Sequence, residues 1–213
     1  MCSLNQEMEI RTMPKRKYQL KRRAERQDAT RQRILDATVA LQESVGVVGT
    51  TISSVAEQAG VERLTVYRHF SDETALLTAA TAYYLVANPP PNPEPWRAIV
   101  NPEVRLQVGL TAVYIYHQQT EGMIGHLIQG LPFKPVICNA LEEYSTHWVN
   151  VQQVLSEGWN SPNLELIKVA IGHTVSFKTW HSLVRDLGLG NTEAVELMVG
   201  MVRSCLQSHG KLD

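Results

Sequence analysis

Thr65, Tyr67, Arg68 and His69 place a hydroxyl, a phenol, a guanidinium and an imidazole within a few residues, and Arg63 lies just before them. This set has donors in abundance but no nucleophile paired with a base and an orienting carboxylate, so its chemistry is recognition rather than bond making. Arg63 and Arg68 are the only cations of the segment, and either guanidinium can reach guanine O6 and N7 together. Thr50 and Thr51 precede a short apolar-periodic run. There a hydroxyl and free backbone N–H groups at a helix N-terminus can hold a phosphate. Lys21, Arg22 and Arg23 belong to a run of ten Lys and Arg between residues 11 and 33.

Charge is segregated along the chain. Residues 1–33 carry ten basic and four acidic side chains, a balance of +6, whereas the other 180 residues carry ten basic and seventeen acidic ones, a balance of −7. A basic end is drawn to a polyanion and an acidic body is repelled by it, so the pattern points to a partner that the formal net charge of −1 conceals.

Helices must position these groups. Residues 1–24 lack periodicity and contain Pro14, and read as a flexible basic arm. From about Glu25, Ile34, Leu41 and Val45 recur at helical spacing up to a stop at Gly46. Thr50 or Thr51 caps a second helix with Ile52, Val55, Ala56 and Ala59 inside. Gly60 makes the turn, because its missing Cβ permits positive φ. A third helix covers about Glu62 to His69 with Val61 and Val66 inward, and Asp72 caps a fourth that ends near Val86. Domain boundaries are therefore expected at 25–87 for this unit, 88–102 for a stiff Pro-rich connector (NPPPNPEP) and 103–213 for a second helical unit. Helices are expected there over about 103–119, 121–129, 134–157, 164–186 and 192–208. The fold class is all-α, with about nine helices.

The residues from Ile34 to Leu77 resemble the TetR family of bacterial transcriptional regulators. The likeness is carried by Ile34-Leu35-Asp36-Ala37, Gly46, Thr50-Thr51, Val55-Ala56, Ala59-Gly60-Val61, Thr65-Val66-Tyr67-Arg68-His69-Phe70 and Leu76-Leu77. It implies a helix-turn-helix whose recognition helix, Glu62–His69, lies in the major groove of a double-stranded DNA operator. It also implies that Thr65, Tyr67 and His69 touch phosphates and bases. Leu64 stands where the family more often has a small residue, and Glu73 where many members carry Lys. The basic arm is then expected to supply phosphate contacts.

The resemblance further implies a homodimer, since two such helices one duplex turn apart read a palindrome. The last two long helices supply the expected interface. Val169, Ala170, His173, Phe177, Trp180, Val184 and Leu187 form one stripe, and Ala194, Val195, Met198, Val202, Cys205 and Leu206 the other; both are equally compatible with a monomer core. A small-molecule effector site is expected where polar and aromatic groups fall on apolar faces: Tyr114, His117 and Gln118; Tyr144, His147 and Trp148; Phe177, Trp180 and His181. The segment Gly122–Gly130 is the candidate moving part.

Other classes find little support. No GxGxxG follows a strand, no Walker loop is present, and the seven His show no HExxH, so neither a cofactor nor a metal is expected and the chain is not read as an enzyme. Cys2, Cys138 and Cys205 form no CxxC, which fits a reducing compartment. No apolar run approaches 18 residues, so no membrane span is expected, and the cytoplasm, at the nucleoid, is the expected location. The alternatives are a ligand-binding or protein-interaction module of the same fold that binds DNA weakly, for which Glu62, Leu64 and Glu73 speak, and a transcriptional activator rather than a repressor.

Overall fold

The computed structural model describes residues 15–130 and 141–207. All regular structure among them is helical: α1 (Lys15–Gly49), α2 (Ile52–Ala59), α3 (Arg63–His69), α4 (Glu73–Ala87), α5 (Pro102–Gln119), α6 (Glu121–Gly130), α7 (Glu142–Leu155), α8 (Leu164–Thr174), α9 (Phe177–His181) and α10 (Asn191–Gln207). A 3-10 turn at Glu94–Ala98 precedes α5, and α9 runs on into a π turn at Ser182–Asp186.

Part of the expected basic arm is helical. α1 starts at Lys15, directly after Pro14, so residues 15–24 are helix and not arm. The stretch from Lys15 to Ala29 holds neither Gly nor Pro and is rich in Lys, Arg, Gln and Glu, all good helix formers. Lys21 faces Glu25 across one turn at 3.9 Å, which adds weak support at an exposed position. Residues 1–14 of the expected arm lie outside the described residues. At the other end, Gly46 interrupts α1 with φ 76° and ψ 171°, a geometry suited to glycine, and the chain then adds a last turn to Gly49.

Three apolar clusters hold the molecule. Ile34, Leu35, Val55, Ala56, Val66, Phe70, Leu76 and Ala80 close the core of α1–α4. Leu106, Leu110, Val113, Val151, Leu155, Ile171, Trp180, Met198 and Val202 are among those that form the core of the second unit. A smaller cluster joins the two, in which Val47, Leu77 and Tyr84 meet Met123, Ile124 and Leu127 of α6. α6 is thus the main apolar joint between the units.

Two expectations about the second unit change. The Pro-rich connector is packed rather than merely extended. Trp96 is buried in the main core, His147 Nε2 lies 3.1 Å from the Pro91 carbonyl, and Arg97 bonds Glu157. Arg105, also buried, donates to the carbonyls of Ile99 and Glu157, which pins the end of the connector to the end of α7.

The single helix expected over 164–186 is broken. Ser176 is extended at φ −66° and ψ 135°, separating α8 from α9. The carbonyls freed at the corner find side-chain donors: Thr179 Oγ1 to His173 O at 2.7 Å, Tyr114 OH to Thr174 O at 3.1 Å, and His117 Nε2 to Val175 O at 3.0 Å. Buried carbonyls left unpaired would make such a break costly, and these donors remove that cost. The helix expected over 134–157 is described from Glu142, and its first part, within 131–140, lies outside the described residues.

Candidate nucleic-acid interface and regulatory cavity

Local rules set the recognition geometry. Thr51 caps α2 through a capping box: its hydroxyl accepts from Ser54 N at 3.2 Å, and Ser54 Oγ accepts from Thr51 N at 3.1 Å. Gly60 ends α2 in the left-handed region at φ 63° and ψ 43°, as the turn requires. Asp72 caps α4 by accepting from Ala75 N at 2.8 Å, and this bond is the largest cause holding its carboxyl below the ordinary carboxylate range. The short α3 is therefore fixed by the caps of its neighbours and by two anchors, Val66 and Phe70, both buried.

With Val66 inside, the opposite side of α3 must face outward. Arg63, Leu64, Tyr67 and Arg68 are exposed, while Thr65 and His69 are half-buried at the flank. Arg31 stacks its guanidinium 4.9 Å from the centre of the Phe70 ring. Beside α3 runs a groove of about 470 Å³ walled by Arg23, Arg26 and Thr30 of α1 and by Thr65, Arg68 and His69. The helical start of α1 thus brings Arg23 to the same groove as Arg68. Arg22 and Lys21 are exposed nearby on α1, Arg22 lying 5.8 Å from the Tyr18 ring centre.

Thr50 is a correction. It is fully buried, and its hydroxyl donates to the Gly46 carbonyl at 2.8 Å, closing the kink of α1. No phosphate can reach it, and Thr51 is the hydroxyl that remains at the α2 N-terminus.

The second unit contains an apolar cavity of about 300 Å³. Its walls include Ile124, Leu127 and Ile128 of α6, Tyr144, Ser145, Trp148 and Gln152 of α7, and Gly172, Val175, Ser176 and Phe177 around the broken corner, with His117 from α5. None of these described lining residues carries a formal charge. A larger, more open groove of about 640 Å³ lies alongside, between α6 and α9, and is lined by charged or polar groups such as Glu121, His126, Lys178, His181 and Asp186. The more apolar space suits a small organic molecule better, since burial of apolar surface drives such binding.

The expected effector residues divide between these places. His117, Tyr144, Trp148 and Phe177 line the apolar cavity. His181 faces the open groove. Four do not line either space. Tyr114 is buried as the donor to Thr174 O, and Trp180 is buried with Nε1 donating to Asn191 Oδ1 at 3.0 Å. Gln118 Oε1 accepts from Asn191 Nδ2 at 2.8 Å, and His147 holds the connector. The α6 walls are an addition that sequence reasoning missed, although the i, i+3, i+4 spacing of Ile124, Leu127 and Ile128 is visible there.

An exposed polar helix held by a capped core and joined to a larger helical unit has the arrangement of a helix-turn-helix domain on a second helical domain. Residues 34–80 match the family model of the bacterial regulatory proteins, tetR family. The chain is similar in fold to a TetR-like transcriptional regulator from Rhodococcus sp. RHA1, at 14% identity and TM-score 0.61, over 84% of this chain and 97% of that one. It is also similar to a HlyIIR mutant protein, at 18% identity and TM-score 0.56, over 85% and 97%. A third likeness is to the fatty acid degradation regulator FadR from Bacillus halodurans, at 16% identity and TM-score 0.53, over 81% and 93%. No curated protein matches the sequence. No helix among the described residues is long and apolar enough to cross a membrane.

Proposed function

We propose that the chain is a homodimeric repressor of the bacterial cytoplasm, released from a palindromic operator when a small molecule fills the apolar cavity. The observation that carries the DNA-binding half is the outward face of α3, where Arg63, Tyr67 and Arg68 stand exposed over the buried Val66. Thr51, Thr65 and His69 complete the face, with Lys21, Arg22 and Arg23 of α1 as phosphate contacts beside it. Exposed Leu64 is suited to a thymine methyl.

Dimerisation keeps Val169 of the expected stripes and otherwise uses other side chains of α8 and α10. Trp180, Ala194, Val195, Met198 and Val202 are buried in the core of one protomer and are not free for a partner. Among the apolar side chains that α8 and α10 leave exposed are Leu166, Val169, Leu197 and Met201, and Gly200 has open space before it. These are the proposed contacts of a four-helix interface.

Signal transfer runs through α6. One side of this helix lines the cavity through Ile124, Leu127 and Ile128. Another grips α1: His126 Nδ1 lies 3.1 Å from the Gln42 carbonyl, and a Cβ on Gly46 would meet the His126 ring at 3.4 Å. A ligand that moves α6 therefore biases the angle of α1 and the separation of the two α3 helices. By linkage, DNA weakens ligand binding by the same factor.

A mobility shift with the DNA upstream of the chain's own gene tests this reading. The wild type is expected to give a specific shift that Tyr67→Ala abolishes. A wild-type complex unaffected by Tyr67→Ala would exclude α3 as the reader. Replacing Lys21, Arg22 and Arg23 together by Ala is expected to flatten the dependence of log affinity on log salt by about 0.9 for each phosphate no longer neutralised. An unchanged slope removes the start of α1 from the interface.

A further inference from the structure

His117, which lines the cavity, has one ring nitrogen without a partner among the described residues. His117 is 1% exposed, and its ring is enclosed by Trp148 and Phe177, with centroids 5.3 and 5.5 Å away. Its Nε2 is committed to the Val175 carbonyl at 3.0 Å. A carbonyl only accepts, so Nε2 carries the proton. In a neutral imidazole the other nitrogen is then an acceptor. Burial holds the ring neutral, lowering its pKa to about 4. His117 Nδ1 has no hydrogen-bond partner among the described residues, although it is buried. A buried acceptor without a donor is costly, and the ring lines a cavity with room for one.

The other polar side chains of the described lining, Ser145, Ser176, Tyr144 and Gln152, are neutral. Gln152 Nε2 is taken by the Lys168 carbonyl at 2.8 Å. Burial raises the pKa of the Tyr144 phenol, so it brings no charge. No lining residue described is a cation that would balance an anionic ligand.

Building on the cavity as the effector site, we propose that the effector is a neutral, mainly apolar molecule bearing one hydroxyl or N–H group, which donates to His117 Nδ1. A carboxylate fails on two counts. It would bring an acceptor to an acceptor, and it would bury a charge without a counter-ion. The volume of about 300 Å³ sets a compact molecule, at the small end of drug-sized sites.

Three probes with one ring system separate these features: naphthol, a neutral donor; methoxynaphthalene, which only accepts; and naphthoate, an anion. Binding to the full-length wild type is measured at neutral pH by titration calorimetry. Naphthol is expected to bind about tenfold more tightly than methoxynaphthalene, the worth of one added hydrogen bond at a buried acceptor, and naphthoate to bind most weakly. His117→Phe keeps a ring in place and removes Nδ1, so it should bring naphthol and methoxynaphthalene to equal affinity. Should that variant fail to fold, nitrogen NMR of the wild-type imidazole gives an independent reading: naphthol shifts the Nδ1 resonance and methoxynaphthalene does not. Equal wild-type affinities for naphthol and methoxynaphthalene, or a preference for naphthoate, would overturn the donor requirement while leaving the cavity as a binding site. If none of the three binds, the cavity itself is excluded as the effector site, and this proposal with it.

Discussion

The helix-turn-helix unit and the cavity-bearing unit are both all-helical, yet they use polar side chains in opposite ways. On α3 the polar groups stand outside a small apolar core and are free to meet a partner. Around the α8–α9 corner they are inside, and most are spent on the backbone: Tyr114, His117 and Thr179 take up carbonyls that a broken helix sets loose. The same residue types therefore mean recognition in one place and support in the other. What distinguishes them is burial, together with whether any polar atom is left over. Among the buried side-chain atoms described at that corner, His117 Nδ1 is the one left without a partner.

The contrast is broken most forcefully in the second core. Trp180 is fully buried and bonded to Asn191. Trp180→Ala should cost about 3–5 kcal/mol, measured by urea unfolding, and collapse of the cavity should accompany it. A cost near zero would mean that Trp180 is a cavity wall after all and not a support.

Next in size is a pH effect confined to His117. Burial holds its folded-state pKa at about 4, below the ordinary 6.5. As pH falls, the unfolded chain takes the proton first. The stability is therefore fully present above pH 6.5 and declines until the folded ring protonates near pH 4. The total is about 3 kcal/mol. Urea unfolding of the wild type and of His117→Phe over this range isolates the effect, since the carboxylates titrate alike in both. Parallel stability curves would contradict it.

On the exposed side the expected balance is reversed. Arg68→Ala should lower operator affinity by about 1–3 kcal/mol and leave stability within about 0.5 kcal/mol. If stability falls as far as affinity, Arg68 is a structural residue and the contrast between the units fails. The smallest effect belongs to a cap. Thr51→Ala should cost about 1 kcal/mol of folding free energy, seen as a lowered Tm of the helix-turn-helix unit.

The same contrast explains what the sequence could reveal. α2, α3 and α4 are set by caps and a turn within a few residues of one another, at Thr51, Gly60 and Asp72, so their order and the outward face of α3 are legible. The start of α1 is easily misread, because a basic run resembles an unstructured arm although its residues favour helix once Pro14 is passed. Thr50 and Thr51 look alike as neighbours; only the Gly46 kink decides which is buried. The break between α8 and α9 is hidden for a different reason. Its stability comes from α5 side chains about 60 positions away in the chain, Tyr114 to Thr174 and His117 to Val175. No local pattern within 164–186 encodes those partners. Of the stripes expected at a dimer interface, Trp180, Ala194, Val195, Met198 and Val202 pack in the core of one protomer while Val169 and Leu187 stay exposed, since periodicity finds an apolar face but not what covers it.

The central claim is that the outer face of α3 reads DNA in duplicate, and selection from a random duplex pool by the full-length protein tests it most directly. Enrichment of a two-fold symmetric motif with half-sites one duplex turn, roughly 34–36 Å, apart is expected, as is disappearance of that enrichment for Arg68→Ala. An asymmetric motif, or one that Arg68→Ala still selects unchanged, would contradict it.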